Sequence, residues 1–475
     1  MNFDEWVLQQ REKDRNTRRS QYKHFDLKIK LSDRVAKYIS NSENICHHGF
    51  YPFLFYLKKS TKFREADTDK HCKLNWKKPK EREICYAAHI DTWIYRYYGF
   101  LLNEMYNHKL HVLGLEDIPI AYRTDKIGYS NVNYAKEVFD TIKKFSLCNI
   151  IIGDFHDFFS TLDHEYLKIK LCELLEVHKL PEDYYKVFRS LTQYSYVNLD
   201  DVNKIRQMEC SQAEANSMTI LTGKQFRKLV RGKYKNEGIK VHVHQGYAGI
   251  PQGSPMSGVL ANIYMLDMDK CLNDFVTARN GMYRRYSDDF IIIIPNESLE
   301  SLREILSFLR NTFELKVNNK IKRLVELQDE KTKIYCKMGN NINLVDSAEL
   351  TVKKEKTYIN FLGFSFNGNV VTIRNSTISR YYGRMYRKIR TICRHNGYVR
   401  SQKNGKFVKI SCKKLYAQYS KKGAFGKQSR GNFLTYVARA KRIFGVNEAI
   451  DCSTQRHMLK IRRALQKVNW KKPYK

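Results

Sequence analysis

The sequence predicts an α+β protein, with its chemistry in the middle of the chain and its charge at the end. Three observations carry that reading. Two apolar β-branched runs end or begin in carboxylates, helical patterns surround them, and residues 351–475 are strongly basic, within a stretch (296–472) that holds none of the eight prolines. Residues 1–51 read as a helical N-terminal segment, helices and strands mix from 52 to Phe366, and 367–475 is mostly helix with a Gly/Lys/Ser-rich loop at 420–431. No Gly/Ser linker separates these parts, so their boundaries are placed by function.

Ile150-Ile151-Ile152-Gly153-Asp154 and Phe290–Ile294 read as buried strands. Val259–Leu266 reads as a helix packed under a sheet. Leu299, Leu302, Ile305, Leu306 and Leu309 make one apolar face of a helix over Leu299–Arg310, with Ser298 as its cap.

With 42% hydrophobic and 13% aromatic residues among 475, the chain is a folded protein and not a basic disordered tail. No apolar run approaches the roughly 18 residues of a membrane span, and the N-terminus carries no apolar leader, so a cytoplasmic protein without a membrane partner is expected. Eleven cysteines without a Cys-x-x-Cys argue against disulfides and zinc ribbons. Cys46-His47-His48 is too compressed for a tetrahedral site, and His242 and His244 alternate as on a strand without a metal partner.

The chain has 85 Lys plus Arg against 49 Asp plus Glu, a net charge of +36. Residues 351–475 hold 31 of those cations and 3 acids, a net of +28, while residues 1–350 carry only +8. Such a segment calls for a polyanion, with nucleic acid first. Basic residues interleave with tyrosines over Ser379–Lys388, which suits a surface tracking phosphates and packing bases. The expected contacts are Arg380, Arg384, Arg387, Lys388, Arg390, Lys421, Lys422, Lys427 and Arg430.

Carboxylates at the ends of buried strands are costly unless paired or metal-bound. The economical arrangement brings Asp154 and Asp288 together on Mg²⁺, with Asp289 beside them. Two such ions, about 3.5–4 Å apart, activate a 3′-hydroxyl and stabilise a leaving pyrophosphate; Mn²⁺ can stand in. Asp157 and Asp163 read as capping or surface residues, and Asp267 and Asp269 as structural. Between the strands, Gly249-Ile250-Pro251-Gln252-Gly253-Ser254-Pro255 forms a rigid loop able to approach a base pair or sugar closely.

Asp154 with Phe158-Phe159, then Gly-Ile-Pro-Gln-Gly-Ser-Pro, then Tyr286-Ser287-Asp288-Asp289 resemble motifs A, B and C of reverse transcriptases, in order. Glu330-Lys331-Thr332 and Phe361-Leu362-Gly363-Phe364 resemble motif D and the primer grip, and the resemblance spans roughly Pro79 to Phe366. It implies a right-hand polymerase: fingers and palm with an antiparallel sheet in 52–366, then a basic helical thumb in 367–475. It also implies catalytic and metal-binding roles for Asp154, Asp288 and Asp289. Phe159 would be the gate against a 2′-hydroxyl, Gln252 a contact to the nucleotide–template pair, Lys331 the lysine near the pyrophosphate (with Lys333 competing), and Arg82 the fingers arginine on the triphosphate.

The style is similar to bacterial retron, group II intron and defence-associated enzymes. Glu83–Asp91, Tyr95–Tyr98 and Ala121-Tyr122-Arg123 resemble the fingers of the defence-associated group. No endonuclease-like module follows, and Asn369–Arg374 stands where retron enzymes carry Val-Thr-Gly. The resemblance implies RNA-directed DNA synthesis from dNTPs in antiphage defence on a structured non-coding RNA, with a DNA product and a homo-oligomer compatible with it. Retron or intron-type synthesis, protein-primed or template-free polymerisation from a tyrosine, and nucleic-acid binding without chemistry are the alternatives.

Overall fold

The computed structural model describes residues 2–16, 22–60, 80–209, 218–299, 301–317, 320–400, 406–426, 431–445 and 448–470. In chain order the first strands are β1 (Phe53–Ser60), β2 (Lys80–Tyr86), β3 (Leu147–Asp154), β4 (Ser195–Asn198), β5 (His242–Val243), β6 (Met282–Tyr286) and β7 (Asp289–Pro295). They are followed by β8 (Glu314–Val317), β9 (Lys320–Arg323), β10 (Lys333–Met338), β11 (Asn341–Val345), β12 (Val352–Lys356), β13 (Ile359–Phe361), β14 (Phe364–Phe366) and β15 (Val371–Ile373). A last hairpin joins β16 (Tyr398–Arg400) to β17 (Phe407–Lys409).

The central sheet runs β12-β11-β10-β3-β7-β6, and its paired strands are antiparallel. Ile150, Ile151 and Ile152 on β3 face Ile293, Ile292 and Ile291 on β7. Alternate residues point to opposite faces of a strand, so an unbroken isoleucine run needs cover on both. Both covers exist. Ile151, Ile292 and Ile294 join Leu260, Ile263, Leu272 and Leu302 on one side, where the helices Ser257–Tyr264, Leu266–Thr277 and Ser301–Thr312 lie. On the other side Ile150, Ile291 and Ile293 join Val138 and Phe139 of the helix Asn131–Lys144 and Val437 of the helix Phe433–Phe444. Each such side chain contributes about 1.5–3 kcal/mol on burial.

The helix expected over Leu299–Arg310 runs Ser301–Thr312, and Ser298 Oγ accepts the Ser301 N–H at 3.3 Å. Leu302, Ile305 and Leu309 are buried, with Leu299 and Leu306 packed at the margin.

A second sheet, β2-β1-β4-β5, stands beyond the helix His89–Val112. The N-terminal helix Phe3–Asn16 lies on that helix through Trp6 on Phe100 and Phe3 on Tyr97. Past the central sheet, β13-β14-β15 forms a small antiparallel sheet that crosses position 366 and leads into the helix Asn375–Arg394. Among the described residues no helix is long and apolar enough to cross a membrane.

Candidate active site

The register of β3 against β7 sets Asp154 opposite Asp289, at the end of the sheet where β6 turns through Ser287 and Asp288 into β7. The Phe155 N–H donates to the Asp288 carbonyl at 3.1 Å, which ties the two strand ends together. Gly153 is required just before Asp154: a Cβ there would sit 2.2 Å from the ring of buried Phe290. Three acidic residues thus lie at one strand end, and the cations that act on them, Lys331 and Arg374, stand outside the strands.

Electrostatics follow from that crowding. Burial, then the neighbouring Asp154 carboxyl, raise the Asp288 pKa, with its own backbone amide opposing. Asp289 is pushed up to about 7 by the surrounding protein and then by Asp288 and Asp154, although the side chain keeps solvent access. Lys331 and Arg374 pull the other way. Asp154 Oδ1 is buried without a hydrogen-bond partner, while Oδ2 is taken by Lys331 Nζ. An orphan carboxylate oxygen beside two carboxyls with raised pKa fits a cation. Among the described residues no three ligating side chains close around one point. Lys331 occupies one arm of Asp154, so that ammonium must yield for a cation to be seated there.

Lys331 reaches Asp154 because the 326–331 segment hydrogen-bonds along the end of β3: His156 N–H to Glu326 O at 2.8 Å, Gln328 N–H to Asp154 O at 2.9 Å. Lys333, its competitor, instead opens β10 opposite Ile152.

The Gly249–Gly253 loop is fastened from three sides. The Ile250 N–H donates to Phe159 O and the Gly249 N–H to Leu162 O, both at 2.8 Å, and His164 Nε2 lies 2.7 Å from Gly249 O. On the far side the Cys85 N–H donates to Gln252 O at 2.9 Å. Gly253 adopts φ +124°, where a Cβ would lie 2.4 Å from Cys85 O. Phe159 is half-buried on the helical turn Phe158–Thr161, one bond network away from Gln252. Arg82 is exposed on β2, opposite Lys58, and shares a face with Ile84, which packs on Gly253.

Asp157 precedes the Phe158–Thr161 turn as an exposed surface residue whose side chain makes no cap bond, whereas Asp163 Oδ1 accepts the Tyr166 N–H at 2.8 Å. Asp267 pairs with Lys170 at 2.5 Å. His48 bonds Asp91 at 2.8 Å, so it serves packing. His242 and His244 stack on Tyr196 and Tyr194.

On the helix Asn375–Arg394 the aromatic part of the sequence expectation is corrected. Tyr381 and Tyr382 are buried on the apolar stripe with Met385, Ile389 and Ile392, and only Tyr386 reaches the surface. Met385 stands at i+4 from Tyr381 and i+3 from Tyr382, so a 3.6-residue period puts both tyrosines on its buried stripe. The cations lie on the other face: Arg380, Arg384, Arg387 and Arg390 are exposed, and Lys388 is partly so, held by Gln418. Arg380, Arg384, Lys421 and Lys422 line one cavity of about 1760 Å³ with Lys413 and Tyr416, and among the described residues no carboxylate lines it. Lys427 and Arg430 lie outside the described residues.

Two residues stand in segments compared with other motifs, and nothing in the sequence places either beside the carboxylates. Arg374, between β15 and the helix Asn375–Arg394, acts on Asp289 across the fold. Tyr122 sets its hydroxyl 3.3 Å from Ser287 Oγ. Both approach the carboxylates only through tertiary packing.

Helices and an antiparallel sheet with three acidic residues at one end make an α+β polymerase-like architecture. Residues 148–366 match the family model "Reverse transcriptase (RNA-dependent DNA polymerase)". They form a reverse transcriptase domain, the nucleotidyltransferase domain of RNA-directed DNA polymerases. The chain is also similar in structure to apo telomerase of Candida tropicalis truncated from its C-terminal domain, at 15% identity and TM-score 0.38 over 62% of this chain and 52% of that one. Telomerase of Candida albicans in complex with a fragment of telomeric RNA gives 14% identity and TM-score 0.37, over 90% of this chain and 58% of that one. The chain therefore spans between half and three-fifths of those telomerases. No curated protein matches it.

Proposed function

We propose that the chain synthesises DNA from dNTPs on an RNA template, with Asp154, Asp288 and Asp289 as the catalytic carboxylates. The observation that carries this is the cross-strand register placing Asp154 opposite Asp289, with Asp288 at the adjoining turn. The three would hold a pair of Mg²⁺ ions, which when bound supply activation of a 3′-hydroxyl and stabilisation of the leaving pyrophosphate. Gln252, on a loop fixed at both ends, orients the nucleotide against its template base. Phe159, whose carbonyl is bonded to that loop, excludes a 2′-hydroxyl, Arg82 grips the triphosphate from β2, and Lys331 Nζ donates toward the departing pyrophosphate.

Residues 52–366 serve as fingers and palm, and 367–475 as a thumb that grips a structured non-coding RNA. The +28 charge of residues 351–475 and the carboxylate-free lining of the cavity support this. The fingers-like segments Glu83–Asp91 and Ala121–Arg123 support a role in bacterial antiphage defence, in the cytoplasm, in a form that can be a homo-oligomer.

The test is sequencing of the nucleic acid that copurifies with the wild type and with the Asp288→Ala/Asp289→Ala protein, alongside phage plating on cells carrying each. A defined RNA with both, complementary DNA with the wild type alone, and protection lost in the double variant are expected. Random RNA, or DNA unchanged by the double variant, rules the reading out.

A further inference from the structure

Three residues before Asp288, Arg285 is wholly shielded from solvent, as is its partner Asp269. Its Nε and Nη2 donate to the two oxygens of Asp269 at 2.8 and 2.6 Å. Nη1 donates to Asn262 Oδ1 at 3.2 Å and to the Ser287 carbonyl at 3.1 Å. Tyr283 adds its hydroxyl to Asp269 Oδ1 at 2.9 Å. The backbone of Arg285 is pinned as well, exchanging hydrogen bonds of 2.9 Å with Ile118 O and the Ile120 N–H.

The bond to Ser287 is the informative one. Ser287 has φ +62°, in the left-handed region that a side chain disfavours, and it directly precedes the two carboxylates. If the buried pair served only stability, an apolar pair of similar volume would do as well or better. What an apolar pair lacks is a donor for the Ser287 carbonyl. A lysine cannot replace it either, since the guanidinium fork serves Asp269 and Ser287 together.

We propose that Arg285 is the positioning residue of the Ser287–Asp289 turn, transmitting the rigidity of the helix Leu266–Thr277 to the aim of Asp288 and Asp289. It touches no reacting group. Without its grip Ser287 relaxes toward negative φ and the following carboxylates swing with it. The inference rests on the polymerase reading for its turnover readout.

The fold-safe test replaces both partners, Arg285→Met with Asp269→Leu, and runs Arg285→Lys beside it. Thermal unfolding checks that each protein is folded. Both are expected to lose roughly 10–100-fold in kcat and in Mn²⁺ affinity followed by EPR, with the KM for dNTP little changed. Adding Ser287→Gly, which tolerates positive φ without the grip, recovers most of both losses without a matching recovery in melting temperature. A folded Arg285→Met/Asp269→Leu protein with wild-type kcat and Mn²⁺ affinity overturns the proposal, as does a loss that Ser287→Gly leaves untouched. A wild type without turnover would count against the polymerase reading, and the Mn²⁺ arm would still decide this one.

Discussion

Asp154, Asp288 and Asp289 sit where strands end, and their chemistry follows from that placement. Removing Asp288 and Asp289 together leaves Asp154 paired with Lys331 alone, so Asp288→Ala/Asp289→Ala should abolish Mg²⁺-dependent dNTP incorporation while the fold persists. Retained incorporation in a primer-extension gel would refute the assignment. Phe159 makes a separate prediction. Its backbone carbonyl accepts the Ile250 N–H of the Gly249–Gly253 loop, and its half-buried ring packs on Phe158. Phe159→Val should raise rNTP over dNTP use by roughly 10–200-fold, the range a change in pocket shape gives. Competition between labelled rNTP and dNTP measures it, and an unchanged ratio would remove Phe159 as the gate.

Elements here are closed by residues distant in sequence. The helix His89–Val112 starts at Ala88, which offers no side-chain cap. Asp26 supplies one, accepting the His89 N–H at 3.0 Å and the Ile90 N–H at 2.9 Å. Asp26→Ala should therefore cost about 1–2 kcal/mol, as loss of a cap does, read by urea unfolding. The Gly249–Gly253 loop behaves alike. Gly253→Ala meets both a left-handed φ and the Cys85 carbonyl, so strain of about 1–3 kcal/mol should appear as a lower melting temperature and a raised KM for dNTP. A wild-type KM in that variant would show that the loop does not position the nucleotide.

For the whole molecule, charge and protonation set the conditions of use. Binding of RNA should weaken linearly in log Kd against log salt, with a slope reduced when Arg380 and Arg384 are replaced by alanine. A slope unchanged by Arg380→Ala/Arg384→Ala would put the contacts elsewhere. His24 makes stability depend on acid. It is buried, with its pKa lowered to about 3 by that burial and then by His89, while the Tyr86 backbone opposes and Asp26 lies 3.9 Å away. A depressed folded pKa means the unfolded chain takes up the proton first. Its contribution is thus complete above about pH 6.5 and falls as pH drops from there toward 3, by about 1.4 kcal/mol per pH unit. Between pH 7 and 5, His24→Phe should lose less stability than the wild type in urea titrations.

The sequence by itself determined the carboxylates, the Gln252 loop, the order of motifs and the uneven charge. Each is a local statement: residue type, short spacing and composition survive without a fold. The strands around Ile150–Ile152 and Phe290–Ile294 were legible for the same reason, since continuous β-branched runs admit few other readings. The tertiary structure decided what depends on approach between distant segments. It sent Tyr381 and Tyr382 inward, because one helix face must bury whatever lies on its apolar stripe. It chose Lys331 over Lys333 for Asp154, because the loop before β10, rather than the strand, passes the end of β3. It brought Arg374 and Tyr122 toward the carboxylates and locked Arg285 to Asp269 and Ser287. Charges and hydrogen bonds act through distance in space, which pairing and packing set and spacing along the chain does not encode.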